Sequence, residues 1–218
     1  MHHDPPHITE TQLGENSKVL EYSQEYRKQW INFGDVFMNK EKIKEALTDQ
    51  KEKKVLHPNG FALASVLIPI LERGDNLYIL FTKRSKHVKN HEGEVSFPGG
   101  VVEKREDPEE AAIRETEEEI GISSDEVEIM GRSPSVRAWT SRYVILPHVG
   151  YIETHPVIRV NKSEVQDTFE VPMEFLKKEN RKFDTDEDFI EESYMFRDYK
   201  IWGATARVLY RFLNLVLS

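Results

Sequence analysis

The stretch from Gly100 to Ile122, GVVEKREDPEEAAIRETEEEIGI, is a loop and helix written against ordinary helix electrostatics. Asp107 offers a capping carboxylate, Pro108 suits the first helical position, and Glu109 and Glu110 lie beside the positive end of the dipole. Gly121 supplies the stop. The last turn in between carries Glu117, Glu118 and Glu119, where the dipole favours cations and each misplaced acid costs roughly 0.3–1 kcal/mol. Some other group must neutralise them, so this helix is expected to be a site.

Residues three and four apart share a helix face, which projects Glu115, Glu118 and Glu119 together and sets Arg114 one turn before Glu118. Three converging carboxylates make a hard oxygen site of the kind that holds Mg²⁺ or Mn²⁺ together with a substrate's phosphates. A solvated acidic face is the bland alternative for any Glu-rich helix. The segment Phe97-Pro98-Gly99-Gly100 argues against it, because glycines in a tight turn let backbone come close to a ligand or ion.

The segment resembles the signature of the Nudix hydrolases, G-x5-E-x7-R-E-U-x-E-E-x-G-U with U apolar. Gly100, Glu106, Arg114, Glu115, Glu118, Glu119, Gly121 and Ile122 all fall in place, and Thr116 at the first U position is the one departure. The resemblance implies an α/β fold of Nudix type, an α/β/α sandwich around a mixed sheet. It also implies that Glu115 and Glu119 bind Mg²⁺ or Mn²⁺ directly, that the Gly99 carbonyl and Glu118 complete or orient the shell, and that Arg114 is an orienting ion-pair partner. Glu106 ties the loop to the helix. For the general base, Glu118, Glu115 and Glu164 are all eligible.

The chain has 218 residues, 38% of them hydrophobic, enough for one sizeable core and an extension. Its 30 basic and 39 acidic residues give a net charge of −9, which disfavours nonspecific attraction to nucleic acid or anionic membrane; a small-molecule partner is what the resemblance implies. With no cysteine, disulfides, thiolate catalysis and Cys-ligated metals are excluded. No apolar run approaches the ~20 residues of a membrane span, and the start lacks the apolar core of a secretory signal, so the expected location is the cytoplasm.

Two regions are expected along the chain. Residues 1–38 read as an extension, polar and aperiodic at first, then an amphipathic helix over Ser17–Phe33 whose Tyr26, Trp30 and Ile31 pack on the main domain or across a homodimer. Residues 39–218 read as the Nudix domain. There, Asn39 caps a helix that turns Ile43, Ala46 and Leu47 inward; Phe61–Leu71 and Asn76–Thr82 form a buried hairpin about Arg73-Gly74-Asp75-Asn76. Further strands are expected at Val127–Met130, Tyr143–Ile152 with Pro147 at an edge or bulge, Val165–Val171 and Tyr199–Trp202. Phe183–Glu192 reads as an acidic loop, and Gly203 opens a last helix with an apolar stripe.

A second constellation precedes the glycine turn. Lys83, Arg84, Lys86 and Lys89, with His87 and His91, crowd one short loop of an acidic protein and feed directly into Phe97-Pro98-Gly99-Gly100. Cations there can pair with additional phosphates. From Leu80 to Gly100 the chain also resembles the extra motif of the coenzyme A pyrophosphatase branch, L-L-T-x-R-S-x3-R-x3-G-x3-F-P-G-G, departing at Phe81 and at Lys89, where a point charge replaces a bidentate fork. Ser163-Glu164-Val165 and Ile201-Trp202-Gly203-Ala204-Thr205-Ala206 look like the same branch. The resemblance implies metal-dependent hydrolysis of coenzyme A or its thioesters to 3′,5′-ADP and 4′-phosphopantetheine, with Lys83, Arg84, Ser85, Lys89 and Gly100 at the substrate. The competing expectations are a Nudix hydrolase of ADP-ribose or a dinucleotide, and a non-catalytic nucleotide-binding protein on the same scaffold.

Overall fold

The computed structural model describes residues 38–48, 60–86, 93–153, 155–177, 180–186 and 189–217. The expected helix over Ser17–Phe33 and much of the basic loop, Lys89 included, lie outside them.

The organising strand is β1 (Ala62–Arg73), whose near-continuous apolar run is buried on both faces. It turns into β2 (Asn76–Arg84), and the two pair antiparallel only near the turn, from Ile70↔Ile79 to Arg73↔Asn76. Beyond Ile70 they diverge. Two short strands fill the fork: β3 (Val95–Ser96) pairs with β2, and β4 (Gly99–Val101) pairs with β1 through Val66↔Gly99 and Ser65↔Gly100. The glycine turn is therefore wedged between the arms of the hairpin.

On its other side β1 pairs parallel with β7 (Tyr143–Ile152) over ten residues, Ala62↔Tyr143 to Leu71↔Ile152. Outside β7 lie β5 (Glu128–Arg132) and β6 (Val136–Ala138), both antiparallel, and β8 (Val165–Pro172) pairs with the outer side of β2. The result is an eight-stranded mixed sheet. A separate antiparallel sheet comprises β9 (Arg181–Asp186), β10 (Phe189–Phe196) and β11 (Tyr199–Trp202). Stacking of Phe169 on Tyr199, with centroids 3.8 Å apart, joins β8 to it.

Three helices cover the main sheet, as the Nudix-type α/β/α reading requires. On one face, α1 (Lys40–Thr48) and α3 (Gly203–Val216) bury Ile43, Leu47, Leu209, Phe212 and Leu213 against Ile68, Ile70 and Val149. On the other, α2 (Pro108–Ile120) packs Ile120 with Leu71, Leu80, Ile122 and Ile152. Asn39 caps α1 as the sequence predicts, its Oδ1 accepting the Lys42 amide at 3.0 Å. No helix among the described residues is long and apolar enough to cross a membrane.

Two expectations are corrected. Phe183–Glu192 is no acidic loop, because it contributes to β9 and β10, paired from Phe189↔Asp186 to Tyr194↔Arg181. Pro147 lies at neither an edge nor a bulge; it is inside β7, flanked by β1 on one side. On the other side it faces the gap between β5 and β6, where its carbonyl accepts the Ser133 amide at 2.9 Å, so the amide it lacks is missing where no strand pairs.

Helix α1 is held by two fully buried side chains and an ion pair of Lys40 with Glu128 at 2.7 Å. Leu47→Ala is expected to cost roughly 2–5 kcal/mol in urea unfolding, against about 0.5 kcal/mol or less for Glu45→Ala on its exposed side.

Candidate active site

Helix α2 forms as its sequence dictates. The Asp107 side chain accepts the Glu109 amide at 2.8 Å, Pro108 occupies the first turn, and Gly121 closes the helix in the left-handed region at φ 74° with its amide on the Glu117 carbonyl. Thr116 is fully buried, and its hydroxyl donates to the Ala112 carbonyl at 2.7 Å, which explains why this polar residue is tolerated on the packing face.

One of the misplaced acids, Glu118, shares a guanidinium with Glu115 and Glu106. Arg114 Nε donates to Glu106 at 2.8 Å, and its Nη1 reaches Glu115 at 2.9 Å and Glu118 at 3.2 Å. Glu106 also accepts the Glu103 amide, at 2.7 Å, so it fastens the 102–107 loop to the helix. The Arg114 hydrogen bond holds the Glu106 carboxyl below its usual range, and Glu106 in turn raises the guanidinium.

Glu115 lies against the glycine turn: a Cβ on Gly100 would meet its Oε1 at 2.5 Å. Only glycine leaves that room. Burial raises the Glu115 carboxyl in spite of Arg114. Glu119 is 3% exposed. It accepts the Gly99 amide and feels the charge of Arg84, yet burial prevails and pushes it up to about 8, with Glu115 adding to the rise. Its Oε2 is buried without a hydrogen-bond partner.

Glu164 comes from the loop before β8. Asn161 positions it: the Asn161 side chain donates to Glu164 Oε1 at 3.2 Å, and the Asn161 amide donates to the Glu119 carbonyl at 2.9 Å. The Glu164 carbonyl accepts the Ser85 amide at 2.8 Å, and its charge acts on both Glu115 and Glu119. The structure thus brings together Gly99, Gly100, Arg84, Ser85, Glu106, Arg114, Glu115, Glu119 and Glu164. Glu118 is 57% exposed and turned to Arg114, while Lys83 Nζ lies 5.6 Å over the Tyr199 ring. Among the described residues no three carboxylates or imidazoles form a ready-made metal cage.

Two participants escape the sequence reading. Asn161 has a local signature, since its Oδ1 accepts the Ser163 amide in an Asx turn of the Asn-x-Ser-Glu run. His148 has none. It sits on β7 opposite Leu67, 2% exposed beneath the start of α2, with Nδ1 3.7 Å from Glu109 Oε2.

The family model of the NUDIX domain matches residues 62–192, and the chain belongs to the Nudix family; the activity class this carries is hydrolysis of a nucleoside diphosphate derivative. It is 35% identical over 173 residues to Nudix hydrolase 3 of Caenorhabditis elegans, covering 70% of this chain and 72% of that protein. It is also 35% identical over 152 residues to the Escherichia coli K12 protein named Uncharacterized Nudix hydrolase NudL, covering 67% of this chain and 78% of the relative. A solved MutT/nudix family protein from Enterococcus faecalis shares the fold, with TM-score 0.51 and 15% identity over 91% of this chain and 76% of its own.

Burial, then the charge of Arg132, lowers His148 to about 4, outweighing Asp107; the half-exposed Glu109 at 3.7 Å is too well solvated to reverse this. The native state therefore favours the neutral ring. Its contribution is complete above the ordinary value near 6.5 and is lost as pH falls from there towards 4, at most about 3 kcal/mol. His148→Leu is expected to flatten the stability curve over that interval relative to the parent chain, as read by denaturant titration at each pH.

Proposed function

We propose that the chain is a divalent-metal-dependent hydrolase of the diphosphate bond of coenzyme A or its thioesters. The observation that carries the chemistry is the buried Glu119 carboxylate, which has one oxygen without a partner and a proton affinity raised by burial. A hard cation suits that oxygen, and the glycine cradle beside Glu115 leaves backbone and carboxylate in reach of the same ion. Glu119 and Glu115 would hold Mg²⁺ or Mn²⁺, with Glu118 and the Gly99 carbonyl completing or orienting the shell. The ion would supply charge neutralisation on the diphosphate oxygens and an acidified water.

The protein's own groups do the rest. Arg114 fixes Glu115 and Glu118 on one helix face and binds the loop through Glu106. Of the eligible bases Glu115, Glu118 and Glu164, the first two already accept hydrogen bonds from Arg114, which holds them in its ion-pair network. Glu164, steadied by the neutral amide of Asn161, is the carboxylate we assign to take the proton of the attacking water. The coenzyme A specificity is supported by the motif from Leu80 to Gly100, whose Arg84 and Ser85 lie beside Glu119 and Glu164. Lys83 and Lys89 of the same motif are assigned to the 3′-phosphate.

Incubation with coenzyme A, dephospho-coenzyme A, ADP-ribose and a dinucleotide, with products identified by mass, tests this reading. The expected products from coenzyme A are 3′,5′-ADP and 4′-phosphopantetheine, abolished by chelator. Glu119→Gln should lower turnover at least a hundredfold while the protein stays folded. Preferred turnover of ADP-ribose or the dinucleotide would overturn the substrate, and undiminished activity of Glu119→Gln would overturn the metal assignment.

A further inference from the structure

We propose that Arg84 clamps the diphosphate itself, opposite the metal-binding carboxylate, and does not read the distal 3′-phosphate. The inference rests on the hydrolase reading above and assigns one member of the basic segment a different task from its neighbours.

The ladder between β2 and β8 is irregular at this point. The ladder with β8 runs Phe81↔Phe169, Thr82↔Thr168, Lys83↔Asp167 and then slips to Arg84↔Val165. The extra residue, Gln166, lies on β8, so the strand that bends here is the one leading away from Glu164, and such bulges gather beside active sites. The backbone on either side is pinned: the Arg84 amide donates to the Glu94 carbonyl at 2.9 Å and the Ser85 amide to the Glu164 carbonyl at 2.8 Å. The same turn that directs Arg84 thus also locates Glu164.

The Arg84 guanidinium is a cation that acts on Glu119. Arg84 Nε is buried without a hydrogen-bond partner, and so is Glu119 Oε2, so these two atoms of opposite character do not bond to each other. A donor and an acceptor left open, both buried and with the charge of one acting on the other, call for a ligand with an acceptor for the first and a cation for the second. A metal-bound diphosphate offers both, its nonbridging oxygen to Arg84 and its ion to Glu119. A 3′-phosphate lies at the far end of the nucleotide and carries no such ion. Arginine suits the task because its donors are fixed in direction and its charge is permanent.

Arg84→Ala and Arg84→Lys in the full chain test the proposal through three readouts: kcat/KM on coenzyme A and dephospho-coenzyme A, Mn²⁺ affinity by electron paramagnetic resonance, and calorimetric binding of methylenediphosphonate to the Mn²⁺-loaded protein. Expected for Arg84→Ala is a ten- to a hundredfold loss of kcat/KM, equal on the two substrates, and at least tenfold weaker methylenediphosphonate binding. Mn²⁺ affinity without the diphosphate should change less than about twofold, with Arg84→Lys recovering part of the loss. A loss confined to coenzyme A would return Arg84 to the 3′-phosphate and overturn the proposal. A parallel fall in Mn²⁺ affinity, or a lowered melting temperature in both variants, would make it a support of the carboxylates or of the fold. Should the parent chain cleave neither substrate, the coenzyme A reading fails while methylenediphosphonate binding still decides the role of Arg84.

Discussion

A carboxylate withdrawn from water sets the terms for the rest of this molecule. Moving Glu119 out of solvent costs several kcal/mol, and the charge of Arg84 and the Gly99 amide offset part of it. A helix bearing such a group has to be held firmly, or it would rotate the carboxylate back into solvent. The holding is done by apolar contacts of Ile120 with Leu71 and Ile152 beneath, and by the glycine turn wedged between β1 and β2 at its side. Strand β4 exists because the hairpin arms diverge, and the divergence gives Gly99 and Gly100 a place beside the acids.

Arg114 solves the complementary problem at the surface. Three carboxylates share its guanidinium, so Glu118, an acid that the dipole opposes, is partly neutralised from one turn back. The arrangement sorts the glutamates by environment: Glu106 is kept ionised, Glu115 is poised between burial and its ion pair, and Glu119 is left short of positive charge. Chemically similar side chains thereby acquire different tasks. Identity alone would not have distinguished them.

What was legible in the sequence was whatever is encoded locally. Asp107, Pro108 and Gly121 announce the helix and its ends; Asn39 announces another; the apolar runs of β1 and β2 and the turn between them need no tertiary information. Spacing along one helix likewise reveals Glu115, Glu118 and Glu119 together. The acidic Phe183–Glu192 segment was hidden because its charges suggest solvent, whereas pairing between β9 and β10 decides its structure. Pro147 misled for a related reason, since what matters is which neighbour its missing amide faces. His148 reaches the helix by pairing of β7 with β1, and no feature of its own neighbourhood in the chain points there.

That pairing has a consequence for the order in which the molecule comes into being. Ala62 meets Tyr143, 143 − 62 = 81 residues later, and everything from β2 to β6, including α2, lies inside the loop so closed. Parallel pairing across such a span delays folding, because the entropy of closure is spent before the ladder returns anything. A chain emerging from the ribosome as far as Ile122 already contains every glutamate of the helix and the strand β1 beneath it, but not β7 with Ile152, nor Asn161 and Glu164. The segment bearing the acids is thus synthesised after β1, β2 and the glycine turn but before β7 and the turn before β8, which complete its surroundings.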